Sequence, residues 1–295
     1  MNKIPVGETI RFAYAFTFGE IGTVIGLVWI PLVINAVGAF LVERGLGDAE
    51  PAAGAALPPG FGYFALYSVL AVFLVAMVAV AITRQALGLR QGPAIAHVSF
   101  GTAELHVFGG IAGLYLLFFI FAMGLTLAVV VVGGLAATLL PSKAVGEAVA
   151  AAAGSLAALA GLGAIFYALV RLSFLFVPSC VGGGGFGLSR SWELTRGNFW
   201  RIVAVGAATA LPAMLVVFVV NLLILGPDYI SSIAAMFRDQ GHLAKYAAEQ
   251  SRMTSAKMPL LLGVSLVLSP ITYGLLFAPA AFAYRALAGK NVLPG

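Results

Sequence analysis

Three arginines, Arg190, Arg196 and Arg201, share the polar stretch 188–201 with Trp192, Asn198 and Trp200, and Arg171, which closes the preceding apolar run, joins them in one basic cluster. Guanidinium groups set among indoles suit one chemistry in particular. At a water–membrane border they hold anionic lipid headgroups, each interfacial basic residue contributing about 1 kcal/mol. The competing reading of the same residues is plain anchoring, in which basic side chains fix orientation and aromatic rings form a belt. Glu193 lies three residues from both Arg190 and Arg196 and would pair with either on a helix, lowering the free charge.

Other chemistries find less support. Gly182–Gly185 followed by Phe186 and Gly187 could cradle a phosphate, but the Lys and Ser/Thr of a nucleotide loop are missing, as is a preceding strand. A flexible joint before residue 188 is the expected role. His97, Glu104 and His106 could suggest a metal, yet on a helix His106 points away from Glu104, so interfacial polar residues are expected instead. Cys180 is the sole cysteine, which excludes an intramolecular disulfide and a cysteine metal site. No Ser/His/Asp set or carboxylate pair emerges. A non-catalytic protein without metal or cofactor is expected.

The elements that must position the arginines are apolar. The chain of 295 residues is 61% hydrophobic and 9% charged, far from the half-apolar, quarter-charged balance of soluble domains. Six stretches reach the roughly 20 residues that a spanning helix needs: 21–42, 61–83, 107–135, 149–170, 202–225 and 259–284. The start of the chain, with Glu8 and Arg11, does not read as a signal peptide. Gly45–Gly60 reads as an irregular loop and Pro141–Glu147 as a short turn. Within the polar segment Asp228–Lys257, Ile230, Ile233, Ala234 and Phe237 fall on one face, the mark of an amphipathic surface helix. Asn35 and Asn221 sit inside spans, and Pro31, Pro212, Pro270 and Pro279 interrupt them. Broken helices with polar residues build transporter sites, but no charged residue lies mid-span, so interhelical hydrogen bonds and tolerated kinks are expected. Glycines in the third and fourth spans, Gly133, Gly134, Gly154, Gly161 and Gly163, predict close helix packing.

Ten of the sixteen basic residues fall on one side if both termini are cytoplasmic, which the net charge of +5 then reflects better than nucleic-acid binding. Weak copies of one pattern precede the odd spans, at Tyr14–Thr17–Gly19, Thr102–Gly110 and Trp192–Thr195–Gly197. Arg84, Arg171 and Arg285 close the even spans. In the last copy Gly197 would stop a helix and Asn198 would cap the next. The expected fold is all-α: one integral membrane domain, 1–295, with six transmembrane helices. Its three pseudo-repeats, about 5–90, 94–178 and 186–290, each hold an interfacial helix lying flat and two spans.

Residues 171–178 (RLSFLFVP) and 191–201 (SWELTRGNFWR) resemble the membrane domain of the prokaryotic glycerophosphodiester phosphodiesterase family and related YciC-type inner-membrane proteins. The resemblance covers about 30 residues and implies an integral protein of the bacterial inner membrane. In the enzymes of that family catalysis sits in a separate soluble barrel, which this chain has no segment to encode. The tetraglycine departs from the family pattern. The expectation is therefore a binder of membrane lipids, or of a partner membrane protein or a second copy, through Arg171, Arg190, Trp192, Arg196, Asn198, Trp200 and Arg201. The alternative is a transporter or flippase-like carrier for a lipidic substrate.

Overall fold

The computed structural model describes residues 3–47, 61–90, 96–139, 142–183, 185–238 and 243–289. The helices among them are α1 (Val6–Gly19), α2 (Ile21–Gly47), α3 (Phe61–Ala86), α4 (Thr102–Leu139), α5 (Lys143–Ser173), α6 (Phe176–Gly183), α7 (Leu188–Leu194), α8 (Phe199–Leu225), α9 (Pro227–Arg238) and α10 (Leu243–Ala288). No strand occurs among the described residues. Six segments there are long and apolar enough to cross a membrane: Ile21–Gly45, Phe61–Ala86, Thr102–Leu135, Ala144–Gly183, Phe199–Leu225 and Ala248–Ala288. That is the build of a multi-pass, all-α membrane protein. Of the expected loop at 45–60, residues 48–60 lie outside the described residues, as do Pro141, Gly184, Asp239 and the side chain of Phe237.

Helix ends follow local chemistry. Ser142 precedes α5 and its hydroxyl accepts the Val145 N–H at 3.2 Å, satisfying a donor that the first turn leaves without a partner. Gly88, Gly197 and Gly226 take positive φ (68°, 76° and 88°) just past α3, α7 and α8, a conformation that costs glycine nothing.

The core gathers round α10, which packs on α1, α2, α3, α6, α8 and α9. Val24, Leu27 and Val28 of α2 meet Val78 and Ile82 of α3 and Ala278, Ala281 and Tyr284 of α10. The small α10 residues bring the helices close, so packing rather than water exclusion holds these surfaces together in lipid. The α4–α5 pair leans outward: none of the most apolar window of α4 and 6% of that of α5 is buried, against 44% for α3. Those two helices grip each other instead. A Cβ at Gly161 would stand 2.4 Å from Leu125 and one at Gly154 3.2 Å from Val129, so these two glycines pack closely as expected; one at Gly133 would make an ordinary 3.6 Å contact with Ala150, and Gly134 and Gly163 face open space.

Contacts tie the two ends of the bundle separately. At one, here the collar end, Arg84 meets Glu104 at 3.0 Å and the Ile4 N–H donates to Asn198 at 3.1 Å. At the other, Ser255 donates to Glu43, and Lys257 Nζ reaches the last carbonyls of α8, Ile224 and Leu225, at 2.6 and 2.7 Å.

Three expectations change. The segment at Thr102 is not a separate interfacial helix: it opens α4, which runs unbroken for 38 residues because Gly109 and Gly110 stay helical. The repeat scheme therefore lacks its second short helix. Next, α1 does not lie flat across the end of the bundle but follows α8 and α10. Tyr14 donates to the Ala208 carbonyl at 2.9 Å, Ala13 joins Ala213 and Leu275, and a Cβ at Gly274 would stand 2.7 Å from Thr17. Small residues on both sides make that groove deep enough to take it. Third, α9 is amphipathic as expected, but the polar residues from 245 onward belong to α10, which extends its spanning segment continuously.

Candidate functional site

The arginine–tryptophan stretch folds into a bracket at the collar end. Arg171 closes α5 and is 6% exposed. Its Nη1 donates to the Tyr167 hydroxyl at 3.0 Å, its Nε to Thr195 Oγ1 at 3.3 Å, and its Nη2 to the Trp192 carbonyl. The guanidinium lies 3.8 Å from the centre of the Trp192 ring, which meets Tyr167 edge-on at 5.9 Å. Ser191 Oγ returns a bond to the Arg171 carbonyl at 2.9 Å, and Thr195 Oγ1 donates to Ser191 at 2.7 Å. A buried charge is tolerated only when its donors are used, and here they fasten α7 to α5. α5 passes into α6 through two turn residues, Phe174 and Leu175, the first still in helical conformation, and the turn before α7 is tight: a Cβ at Gly187 would stand 2.7 Å from Ser179.

Arg190 points the other way. It lies 5.6 Å from the Tyr284 ring and against the end of α6, where a Cβ at Gly183 would stand 2.9 Å from its Nη1. A Cβ at Gly182 would stand 3.0 Å from Tyr284. Gly182 and Gly183 are thus helical residues that admit two bulky neighbours, not a flexible joint. The guanidinium also meets the negative end of the α6 dipole.

Asn198 and Arg201 act together on the first residues of the chain. Asn198 stands just before α8, yet it does not cap it: Oδ1 takes the Ile4 N–H, and Arg201 Nη1 donates to the Ile4 carbonyl at 2.8 Å. Both polar groups of a fully buried peptide are satisfied by one helical turn.

Of the seven residues singled out in sequence, then, Arg171 and Asn198 are internal braces, and Arg190 and Arg201 are half-buried with contacts inside the protein. Trp192 (39% exposed), Trp200 (76% exposed) and Arg196 face outward. Trp200 packs edge-on against Phe199 at 5.0 Å, which meets Tyr167 at the same distance with the rings tilted by 40°, so the outward indole is held by the bracket behind it. Glu193 is exposed and, among the described residues, forms no ion pair with Arg190 or Arg196.

Sequence reasoning missed the Arg84–Glu104 pair, in which the carboxylate is 1% exposed. The available signal was an Arg closing one span and an acid in the first turn of the next. His97 sits near this pair; burial, then Arg90, holds its imidazole below the ordinary histidine value, with Glu104 opposing. Among the described residues no group of three or more His, Cys, Asp or Glu could hold a metal.

Asn35 accepts from the Tyr67 hydroxyl at 3.2 Å beside a space of about 10 Å³ walled by Pro31, Leu32, Val78 and Tyr273. That is room for about one water. Comparison with protein-family models, with curated proteins and with solved structures returned no match for this chain, so the similarity of residues 171–201 to the phosphodiesterase membrane domain gains no support from them.

Proposed function

We propose that the protein acts without catalysis in the bacterial inner membrane, both termini cytoplasmic, binding acidic lipid through its collar. The observation that carries this reading is the outward pair Trp192 and Trp200 beside the exposed Arg196, on a mount braced from behind by Arg171. Aromatic rings of this kind settle at headgroup level, and a neighbouring cation draws an anionic phosphate. A rigid mount loses little entropy on binding. Binding to a partner membrane protein or a second copy draws on a separate observation, the α4–α5 pair with little of its apolar surface buried. Carriage of a lipidic substrate draws on the prolines within α2, α8 and α10, but the space at Asn35 is too small for one, so it ranks behind binding.

The test is lipid retention by the purified full chain, read by native mass spectrometry after exposure to equal amounts of phosphatidylglycerol and phosphatidylcholine. The wild type should keep phosphatidylglycerol in excess, and Arg196→Gln with Trp200→Ala should lower that excess at unchanged melting temperature. Equal retention of both lipids by the wild type would sink the proposal; retention of a protein instead would move it to the α4–α5 pair.

A further inference from the structure

A slot of about 250 Å³ runs between α1, α8 and α10, lined by Tyr14, Phe18, Pro212, Val216, Leu268 and Ile271. It opens on the outside of the bundle, since Phe18 and Val216 are 53% and 52% exposed. Its shape is built into the backbone. Pro212 has no N–H, so the carbonyl four residues earlier, Ala208, loses its helical partner. The Tyr14 hydroxyl takes that carbonyl at 2.9 Å, which fixes one wall of the slot. Apolar cavities of about 150 Å³ already stay dry and accept an apolar guest. Within a bilayer the guest at hand is an acyl chain.

The face of α1 that forms the slot carries a charge at its collar end. Arg11, Tyr14 and Phe18 follow one another at spacings of three and four residues, so they share a stripe with Arg11 one turn nearer the collar. Arg11 is exposed and forms no ion pair or hydrogen bond among the described residues. Tyr14 and Phe18 stack at 6.1 Å, leaving a continuous apolar path below the guanidinium. A cation above and a dry slot below match the two halves of an acidic phospholipid.

We infer that the α1–α8–α10 slot holds one acyl chain of an acidic phospholipid whose phosphate rests on Arg11. The inference takes its ligand class from the lipid-binding reading above, but its site shares no residue with Arg196, Trp192 or Trp200.

The full chain in phosphatidylcholine vesicles, doped with phosphatidylglycerol bearing a diazirine on its acyl chain, is irradiated and the adducts are mapped by peptide mass spectrometry. Peptides covering 212–217 and 268–275 should be labelled well above the exposed faces of α4 and α5. Unlabelled phosphatidylglycerol should compete about fivefold better than phosphatidylcholine, the factor one interfacial cation supplies. Arg11→Gln should bring that ratio to one while labelling persists, and Val216→Phe, which fills the slot from an exposed position, should abolish the local labelling. Labelling spread evenly over all lipid-facing helices, equal competition by the two lipids, or a helix of a copurifying protein crosslinked in the slot would each overturn the inference. Loss of collar selectivity with slot labelling intact would remove only the collar reading, and the converse only this one.

Discussion

Replacing Arg171 with methionine should undock α7 while the spanning helices stay folded. The guanidinium makes three hydrogen bonds, to Tyr167, Thr195 and Trp192, and covers the Trp192 ring at 3.8 Å. Bonds from a charged donor are worth about 1.5–3 kcal/mol each and the ring contact about 1 kcal/mol. Relief of the buried charge, several kcal/mol, offsets much of that sum, leaving a net loss of about 2–4 kcal/mol. The helix cannot absorb the loss, because α7 has seven residues and an isolated helix shorter than about 12–15 is marginal in water. A loss of that size raises the open population about 30- to several-hundred-fold. Hydrogen exchange in nanodiscs reads it directly: the Ser191 and Thr195 amides, bonded to Gly187 and Ser191 at 2.8 and 3.0 Å, should lose protection by that factor. Amides of α3 and α10 should not change. Unaltered exchange at Ser191 and Thr195 would refute the idea that Arg171 holds the collar together.

Three more predictions address other joints. Tyr14→Phe leaves the Ala208 carbonyl without a partner and should cost about 1–3 kcal/mol in denaturation, but much less in a Pro212→Ala background, where residue 212 can donate to it; equal costs in both backgrounds would break the argument. Gly110→Ala puts a methyl about 2.1 Å from the buried Phe176 ring and should lower stability by about 1–3 kcal/mol, with Phe176→Leu restoring part of it; a neutral Gly110→Ala would place the ring elsewhere. His97 gives the collar a pH dependence. Its value is lowered in the folded state, so the unfolded chain binds more protons just below pH 6.5, and stability should rise with pH up to about 6.5 and then level off. His97→Gln should flatten that rise, and a slope that persists unchanged would assign it to another group.

The six spans were legible because runs of about 20 apolar residues admit few other readings in an almost uncharged chain. The residues of the site were legible as a group and misread one by one. Hydropathy cannot tell an arginine that reaches out to water from one that turns inward, and Arg171 turns inward because Tyr167 lies one turn before it and Thr195 sits across the bracket. Asn198 was read as a local cap, yet its oxygen serves Ile4, 194 residues away in sequence, which no local pattern encodes. The path of α1 was hidden for the same reason: its amphipathic stripe fits a membrane surface as well as a groove, and the choice lies in Gly274 and Ala213 on other helices. At Thr102 the polar run suggested a separate helix, but it is polar because Glu104 meets Arg84, not because the chain breaks there.

The depth and headgroup preference of Trp200 test the collar most directly. With Trp29→Phe and Trp192→Phe leaving Trp200 as the one fluorophore, its quenching is measured in vesicles whose lipids carry bromine near the headgroup or near the chain end, on phosphatidylglycerol or phosphatidylcholine. Bromine near the headgroup of phosphatidylglycerol should quench most strongly, and Arg196→Gln should remove the preference for that lipid. Stronger quenching from the chain ends, or equal quenching by the two headgroups, would contradict a lipid-binding collar.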